Sequence, residues 1–322
     1  MKIGNFEIGP EHPPFTIAEA GLNHCGDIER ALVMVRVAKI CGCDAIKFQT
    51  FKAVDVCPPD QDYTYQSQGE TITEKRINIF RRCELPESAW PVIKAECDKQ
   101  EIIFMSTPET PADLDILLKA GIPAIKIGSD NLTNLPMLRY CARDDVALPI
   151  ILSCGMSNTT EITAALYALG QTFDDDKQYY PGMPDESNVI LLVCTSEYPC
   201  LPDALNLARI TSMRKAFPGI HIGFSDHTGV LMSTAMAAAL GACVFEAHFT
   251  LDRNLPGPDH SWCFDTNGLH DWVECIHLSK IVMGDGIIRP SEFELANKAK
   301  YQRVCVSNVP AQGREASPGV DG

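Results

Sequence analysis

Eight apolar runs alternate with eight amphipathic stretches along this chain of 322 residues, and this alternation limits the possible folds more than any other feature. The apolar runs have the composition of buried strands, and the stretches between them have helical periodicity. Strict alternation of this kind is typical of parallel sheets covered by helices. The predicted strands are 15–23, 45–51, 102–108, 124–129, 149–155, 188–196, 221–227 and 243–251. The predicted helices are 27–41, 86–100, 112–120, 135–143, 160–169, 203–216, 230–240 and 269–283.

Eight βα units predict an α/β fold of the (β/α)8 TIM barrel type rather than a doubly wound sheet. A dinucleotide-binding sheet would need Gly-x-Gly-x-x-Gly after its first strand, and Gly21 and Gly26 do not have that spacing. Asp27 and Asp203 are predicted N-cap residues of the first and sixth helices. Three glycines stand where helices are expected to end, namely Gly121, Gly170 and Gly241.

The segments outside this pattern suggest the domain organisation. Residues 1–14 are predicted to form a short hairpin that covers one end of the barrel. Residues 15–305 form the predicted catalytic barrel, and residues 306–322 have the composition of a disordered tail. A long polar insertion at 52–85 follows the second strand on the catalytic side, where it is expected to act as a lid.

Charge and cysteine content restrict the partners and the compartment. With 27 Lys and Arg against 42 Asp and Glu, the formal charge of −15 argues against nucleic acid and anionic membranes as partners. The 14 cysteines are scattered through apolar runs without a Cys-x-x-Cys, as in reduced proteins. The chain begins without a signal-peptide pattern and contains no apolar run long enough to span a bilayer. We therefore expect a cytoplasmic protein.

Polar residues end all eight predicted strands, at the edge where TIM barrels carry their active sites. Lys47 and Lys126 lie inside apolar sequences, where an unpaired ammonium group is costly to bury. They are expected to bind an anion or to form a Schiff base, and the alternative is a structural ion pair with a carboxylate such as Glu19. The other strand-end residues are Glu19, Asn23, Gln49, Ser106, Thr107, Ser129, Ser153, Thr195, Ser196, Tyr198, Asp226, His227, Glu246 and His248.

Two histidines predict a metal site at this edge. Glu246 and His248 share one face of their strand by alternation, and the preceding strand ends in Asp226-His227. A single histidine in such a position is more often a core residue. Two histidines on neighbouring strands indicate a divalent metal ion bound by His227 and His248.

Several segments of the chain resemble the sialic acid synthase family. The similarity extends from about residue 15 to residue 305, and its motifs occur in the same order. The segments that carry it are 17–27, 44–50, 104–108, 125–129, 151–156, 223–228 and 246–260.

This resemblance implies a transferase that condenses phosphoenolpyruvate with an acetamido hexose such as N-acetylmannosamine. The products would be a nine-carbon 2-keto-3-deoxy acid and phosphate, as in N-acetylneuraminate synthesis. The resemblance also implies a homodimer, with Mn²⁺ or Mg²⁺ on His227 and His248. The implied catalytic residues are Glu19, Lys47, Lys126, Tyr198 and Glu246. The implied substrate-binding residues are Gln49, Thr107, Ser129 and Asp259, and strand-end Ser196 is predicted to bind substrate with them.

Two departures from the family pattern affect these expectations. The chain has Ser129-Asp130-Asn131 where relatives carry Ser-Gly-Glu or Ser-Gly-Asp, which leaves the acceptor sugar open. It ends at Gly322, soon after residues 301–303, where an antifreeze-like C-terminal domain is expected to begin. The competing functions are a Schiff-base barrel aldolase or lyase and a non-catalytic scaffold that binds sugar phosphates.

Overall fold

The structure is a computed structural model that describes residues 1–171 and 188–303. The chain divides into two compact units, Met1–Met283 and a second unit that begins at Gly284. The predicted tail at 306–322 lies outside the described residues. Within the described ranges, no helix is both long and apolar enough to span a membrane.

The strands alternate with helices in the predicted order. In chain order the strands are β1 (Lys2–Ile3), β2 (Phe6–Glu7), β3 (Phe15–Glu19), β4 (Ala45–Thr50), β5 (Asp62–Ser67), β6 (Glu70–Lys75), β7 (Ile103–Pro108), β8 (Ile125–Ile127), β9 (Ile150–Ser153), β10 (Val189–Val193), β11 (His221–Asp226) and β12 (Val244–His248). The helices are α1 (Ile28–Ile40), α2 (Ala53–Val56), α3 (Arg76–Cys83), α4 (Ala89–Gln100), α5 (Pro111–Ala120), α6 (Leu135–Cys141), α7 (Thr159–Ala168), α8 (Arg209–Ala216), α9 (Leu231–Ala239), α10 (Thr266–Met283) and α11 (Glu292–Tyr301).

Eight of the strands form one parallel sheet in the order β7-β4-β3-β12-β11-β10-β9-β8. The two edge strands, β7 and β8, are neighbours in space, so the sheet curls round almost to closure. The predicted TIM barrel is confirmed. As predicted, Asp27 caps α1 by accepting a hydrogen bond from the Arg30 amide, and Gly121 ends α5 at a φ of 80°.

The sixth helix differs from the prediction. A short 3-10 turn at Pro202–Ala204 comes first, and α8 begins only at Arg209. The predicted cap at Asp203 is wrong, because Leu201 precedes the turn and Ala208 precedes α8. Asn206 lies between them at a φ of 46°, a left-handed conformation that interrupts a right-handed helix.

The barrel interior changes from apolar to polar along six of the eight strands of the parallel sheet. The N-terminal halves contribute an apolar layer, onto which Ile3 and Ile8 pack from the N-terminal hairpin β1–β2. Two positions further along each of these six strands, the side chain on the same face is polar. These apolar-to-polar steps are Ile17 to Glu19, Ala45 to Lys47, Met105 to Thr107, Ala124 to Lys126, Ile151 to Ser153 and Val244 to Glu246. The polar layer therefore lies directly on the apolar layer formed by the N-terminal halves of the strands.

Candidate active site

The polar layer opens into a cavity of about 380 Å³ at the carboxyl ends of the strands. The strand register brings its residues together, since His248 pairs with Glu19 across β12 and β3, and Glu19 pairs with Lys47 across β3 and β4. All twelve predicted site residues line this cavity: Glu19, Lys47, Gln49, Thr107, Lys126, Ser129, Ser196, Tyr198, His227, Glu246, His248 and Asp259.

Four charged side chains form a network at the base of the cavity. Lys47 Nζ lies 2.7 Å from Glu19 Oε2 and 3.8 Å from Glu246 Oε2, and Lys126 Nζ lies 3.6 Å from Glu246 Oε1. Each of the four residues is less than 5% exposed. The ion pair of Lys47 with Glu19, considered as an alternative from the sequence, is therefore present. The two lysines and two carboxylates balance when all four are charged.

Burial and the neighbouring charges together set the pKa values of the groups in this network. Burial raises the pKa of Glu19 to about 7, although Lys47 opposes the shift. Burial also disfavours the charge on Glu246, but Lys126 and Lys47 together hold its pKa below the ordinary value. Desolvation of Lys47 is outweighed by Glu19 and Glu246, which raise its pKa. Glu19 is therefore the carboxylate of the network that takes up a proton near neutral pH.

Hydroxyl groups surround the two ammonium groups. Lys47 Nζ donates to Thr107 Oγ1 at 3.1 Å, and Lys126 Nζ donates to Ser153 Oγ at 2.8 Å. Among the remaining predicted residues, Gln49 donates to Glu19 Oε1 at 3.2 Å, and the Ser129 and Ser196 hydroxyls lie 2.8 Å apart. This wall offers both charged donors and hydroxyl donors to an anion.

The two predicted metal ligands lie side by side, with ring centroids 5.5 Å apart. His227 Nδ1 is 2.6 Å from the Thr195 carbonyl oxygen, to which it must donate, so the lone pair of the neutral ring is on Nε2. Nδ1 of His248 is buried and has no hydrogen-bond partner in the described part of the chain. A Cβ at Gly21 would lie 3.0 Å from this nitrogen, so the glycine keeps the space beside it open.

These observations fit a divalent metal ion with an incomplete set of protein ligands. Burial lowers the pKa of both His227 and His248, and a neutral imidazole is the form that binds metal. Across residues 1–171 and 188–303, no group of three or more His, Cys, Asp or Glu side chains could hold a metal ion. Any ion at this pair would keep coordination positions for water or substrate, as catalytic sites require.

Aromatic rings frame the histidine pair. Tyr198 packs on His227 at a centroid distance of 4.3 Å, and Trp262 packs on His248 at 5.1 Å. Asp259 is the remaining predicted residue at this end of the cavity, and burial raises the pKa of its carboxyl group to about 6. Tyr198 and Asp259 thus give this part of the cavity lining an aromatic ring and a carboxyl group, which suit a neutral polyol.

The cavity residues that were missed from the sequence include two charged ones, Glu109 and Arg76. Glu109 directly follows the Ser-Thr-Pro end of β7, and burial followed by the charge on Asp130 raises its pKa to about 8. Its position just past a strand end was a usable signal. Arg76 lines the cavity from α3, and its place depends on how the insertion folds, which no local pattern reveals. Arg82, at the end of the same helix, forms a bidentate ion pair with Glu74.

The 52–85 insertion forms one side of the cavity mouth, and Tyr63 and Arg76 line the cavity from it. Its hairpin β5–β6 is held by the loop after β12. Gln68 donates to the Asn254 carbonyl at 2.9 Å, and the Gly257 amide donates to Ser67 Oγ at 3.2 Å. The insertion lies where a lid was expected, while its opening and closing stay a prediction.

The fold and the cavity together define a TIM-barrel enzyme. The NeuB family model matches residues 34–288. N,N'-diacetyllegionaminic acid synthase of Legionella pneumophila is 36% identical over 291 residues, which cover 90% of this chain and 78% of that protein. N-acetylneuraminate-9-phosphate synthase of Homo sapiens is 33% identical over 309 residues, which cover 94% and 80%.

A solved structure agrees with these relatives. The crystal structure of N-acetylneuraminic acid synthetase from Leptospira borgpetersenii, in complex with citrate, has a TM-score of 0.78 at 29% identity. The match covers 93% of this chain and 95% of that chain. The chain belongs to the NeuB family, and it is an enzyme of the sialic acid synthase type.

Proposed function

We propose that the protein condenses phosphoenolpyruvate with an open-chain acetamido hexose, giving a nine-carbon 2-keto-3-deoxy sugar acid and phosphate. Two relatives are synthases of N,N'-diacetyllegionaminic acid and of N-acetylneuraminate 9-phosphate, which supports an acetamido acceptor. The free thiols of the described cysteines support a cytoplasmic location. The homodimer implied by the resemblance stays a prediction.

The observation that carries this proposal is the pair of buried lysines around Glu246. Oε2 of this carboxylate lies 3.8 Å from Lys47 Nζ, and Oε1 lies 3.6 Å from Lys126 Nζ. One small anion can therefore meet both ammonium groups, just as the Glu246 carboxylate does. Phosphoenolpyruvate carries its phosphate and its carboxylate on the same carbon atom, C2, and charge-assisted bonds to both would fix its orientation.

In this arrangement the protein holds the enol and the aldehyde against each other. C3 of phosphoenolpyruvate forms the new bond to the aldehyde carbon, whose oxygen takes up a proton. Water adds at C2, and the tetrahedral intermediate loses inorganic phosphate by C–O cleavage, which leaves the keto group. A divalent ion on His227 and His248, Mn²⁺ or Mg²⁺, would polarise the aldehyde oxygen as a Lewis acid. Glu19 is placed to move protons, because its pKa lies near neutrality.

The Schiff-base alternative agrees less well with the site. A lysine nucleophile must be available as the neutral amine, which burial or a neighbouring cation normally promotes. Lys47 contacts two carboxylates that raise its pKa, so the ammonium form is favoured. We therefore assign Lys47 to anion binding.

The proposal is tested by measuring phosphate release from phosphoenolpyruvate across a panel of aldoses. We expect release only with acetamido hexoses, and we expect it to depend on added Mn²⁺ or Mg²⁺. Hexoses without an acetamido group and phosphorylated pentoses serve as controls. Release with a pentose phosphate alone, or a borohydride-trapped covalent adduct on either lysine, would contradict the proposed reaction.

The raised pKa of Glu19 predicts how phosphoenolpyruvate binding depends on pH. Below pH 7 Glu19 is neutral, so Lys47, Lys126 and Glu246 together leave one positive charge. Above pH 7 Glu19 ionises and cancels it, so affinity for the anion should fall about tenfold between pH 6 and pH 8. Calorimetric titration of wild type and Glu19→Gln separates this effect from ionisation of the ligand, which is common to both. Equal pH dependence in the two proteins would show that Glu19 is not responsible.

A further inference from the structure

Two cysteines meet just outside the proposed reaction site. Cys25 lies in the loop after β3, and Cys83 is the last residue of α3. A Cβ at Gly26, the residue after Cys25, would lie 3.7 Å from the Cα atom of Cys83, and the Cys83 thiol lowers the pKa of Cys25. The backbone segments next to the two cysteines are also in close contact, because a Cβ at Gly26 would lie 2.3 Å from the Arg82 carbonyl oxygen. Only glycine allows this approach, and the contact is therefore built into the fold.

Cys25 also has a histidine positioned as a base. Its sulfur lies 3.5 Å from Nε2 of buried His260, whose Nδ1 lies 2.6 Å from Thr250 Oγ1. The Thr250 hydroxyl hydrogen is donated to the Asp252 carbonyl oxygen, so Thr250 must accept from His260 Nδ1. This fixes the tautomer and leaves Nε2 free to take the thiol proton, as in activated cysteine sites.

The surrounding charges favour the thiolate on Cys25. The neighbouring Cys83 thiol lowers the pKa of Cys25 most, and His260 and Arg30 lower it further against the effect of burial. Cys83 is more deeply buried, and the same contact raises its pKa. The ionisable groups that interact with Cys25 from the neighbouring elements are His24, Arg30, Cys83, Asp259 and His260.

We propose that Cys25 and Cys83 form a redox-active thiol pair, in which Cys25 reacts with a hydroperoxide and Cys83 resolves the product to a disulfide. The Cys25 thiolate attacks one peroxide oxygen, the O–O bond breaks, and the leaving hydroxide or alkoxide takes a proton. The Cys83 sulfur then attacks the resulting sulfenic acid, its proton is lost, and the S–O bond breaks to release water. Two thiols are oxidised, and one hydroperoxide is reduced to water plus water or an alcohol.

The disulfide would connect the insertion to the barrel. Its Cys83 end lies on α3, from which Arg76, Ile79 and Phe80 line the cavity. Its Cys25 end lies in the loop that contributes Leu22 to the same cavity. Oxidation would link α3 covalently to the loop after β3 without changing any of the proposed catalytic residues.

The test uses the full chain, reduced and then exposed to hydrogen peroxide at pH 7. After alkylation under denaturing conditions, non-reducing peptide mapping should find Cys25 joined to Cys83 in wild type. Cys25→Ser should abolish the link, and Cys83→Ser should leave a Cys25 sulfenic acid that dimedone captures. Cys275→Ser is the matched control and should retain the link, since Cys275 is also partly exposed and bonds instead to the Leu231 carbonyl.

A second measurement does not depend on the folding of the variants. The alkylation rate of an ordinary thiol falls about seventy-five-fold between pH 8 and pH 6, as the thiolate is lost. In native wild type, the rate at Cys25 should change less than about threefold over this interval. The proposal is overturned if peroxide leaves both cysteines alkylatable, or if the Cys25 rate falls with pH as the rate of an ordinary thiol does.

Discussion

Replacing either His227 or His248 with alanine should lower turnover at least about a hundredfold, since Lewis-acid activation of a carbonyl contributes several kcal/mol. Among residues 1–171 and 188–303, each histidine is one of the two side chains proposed to donate to the metal ion. The hydrogen bond of His227 to Thr195 and the unpartnered Nδ1 of His248 both suit metal binding. Loss of either imidazole should therefore remove the ion as well as the activity.

Metal binding is measured separately from turnover. Free Mn²⁺ in a protein titration is followed by its electron paramagnetic resonance signal, which wild type should deplete and the two variants should not. His270→Ala is the control, because His270 is exposed on α10 and pairs with Asp271. Thermal unfolding of each variant shows whether the fold persists. Full turnover by wild type after exhaustive chelation would refute the metal requirement.

Much of the candidate site follows from the sequence because a TIM barrel converts strand position into spatial proximity. Lys47, Lys126 and Glu246 each lie two residues beyond a buried apolar position, so period-two alternation places them on the inner face. Parallel strands then bring their carboxyl ends to one edge of the barrel. Residue type and strand position were sufficient to nominate these side chains.

Pairings that depend on irregular backbone could not be predicted in the same way. Asp203 looked like a helix cap, but the left-handed conformation of Asn206 moves the helix start to Arg209. Arg76, rather than Arg82, reaches the cavity because Glu74 holds Arg82 in a surface ion pair. Such choices among competing partners are made by tertiary contacts, which a single sequence does not encode locally.

The buried charge network also explains how an acidic protein can bind an anionic substrate. The chain carries a formal charge of −15, so its overall electrostatic field repels an anionic ligand. The two lysines supply local positive charge against this field. In the free protein Glu19 and Glu246 hold both lysines in place and compensate their burial. Because burial raises the pKa of Glu19 to about 7, protonation of this carboxylate near neutral pH would leave the network with a net positive charge.

Lys126→Met is the most direct test of this anion site, and it should raise the KM for phosphoenolpyruvate at least about tenfold. A hydrogen bond to a charged group contributes about 1.5–3 kcal/mol, and methionine keeps most of the side-chain volume. Lys126 suits this test better than Lys47, which is paired more closely with Glu19, at 2.7 Å. Removing Lys47 would leave Glu19 without its nearest cation and would combine a stability effect with a binding effect.

The two substrates distinguish binding from structural support. Lys126 contacts Ser153 and Glu246, and no contact of Lys126 with Tyr198 or Asp259, the proposed sugar-binding residues, is present in the described part of the chain. The KM for the sugar should therefore change by less than about threefold, because its proposed contacts are untouched. Lys119→Met, at an exposed position late in α5, is the matched control and should leave both values unchanged. Equal losses for both substrates, together with a lowered unfolding temperature, would mean that Lys126 supports the barrel and does not bind the anion.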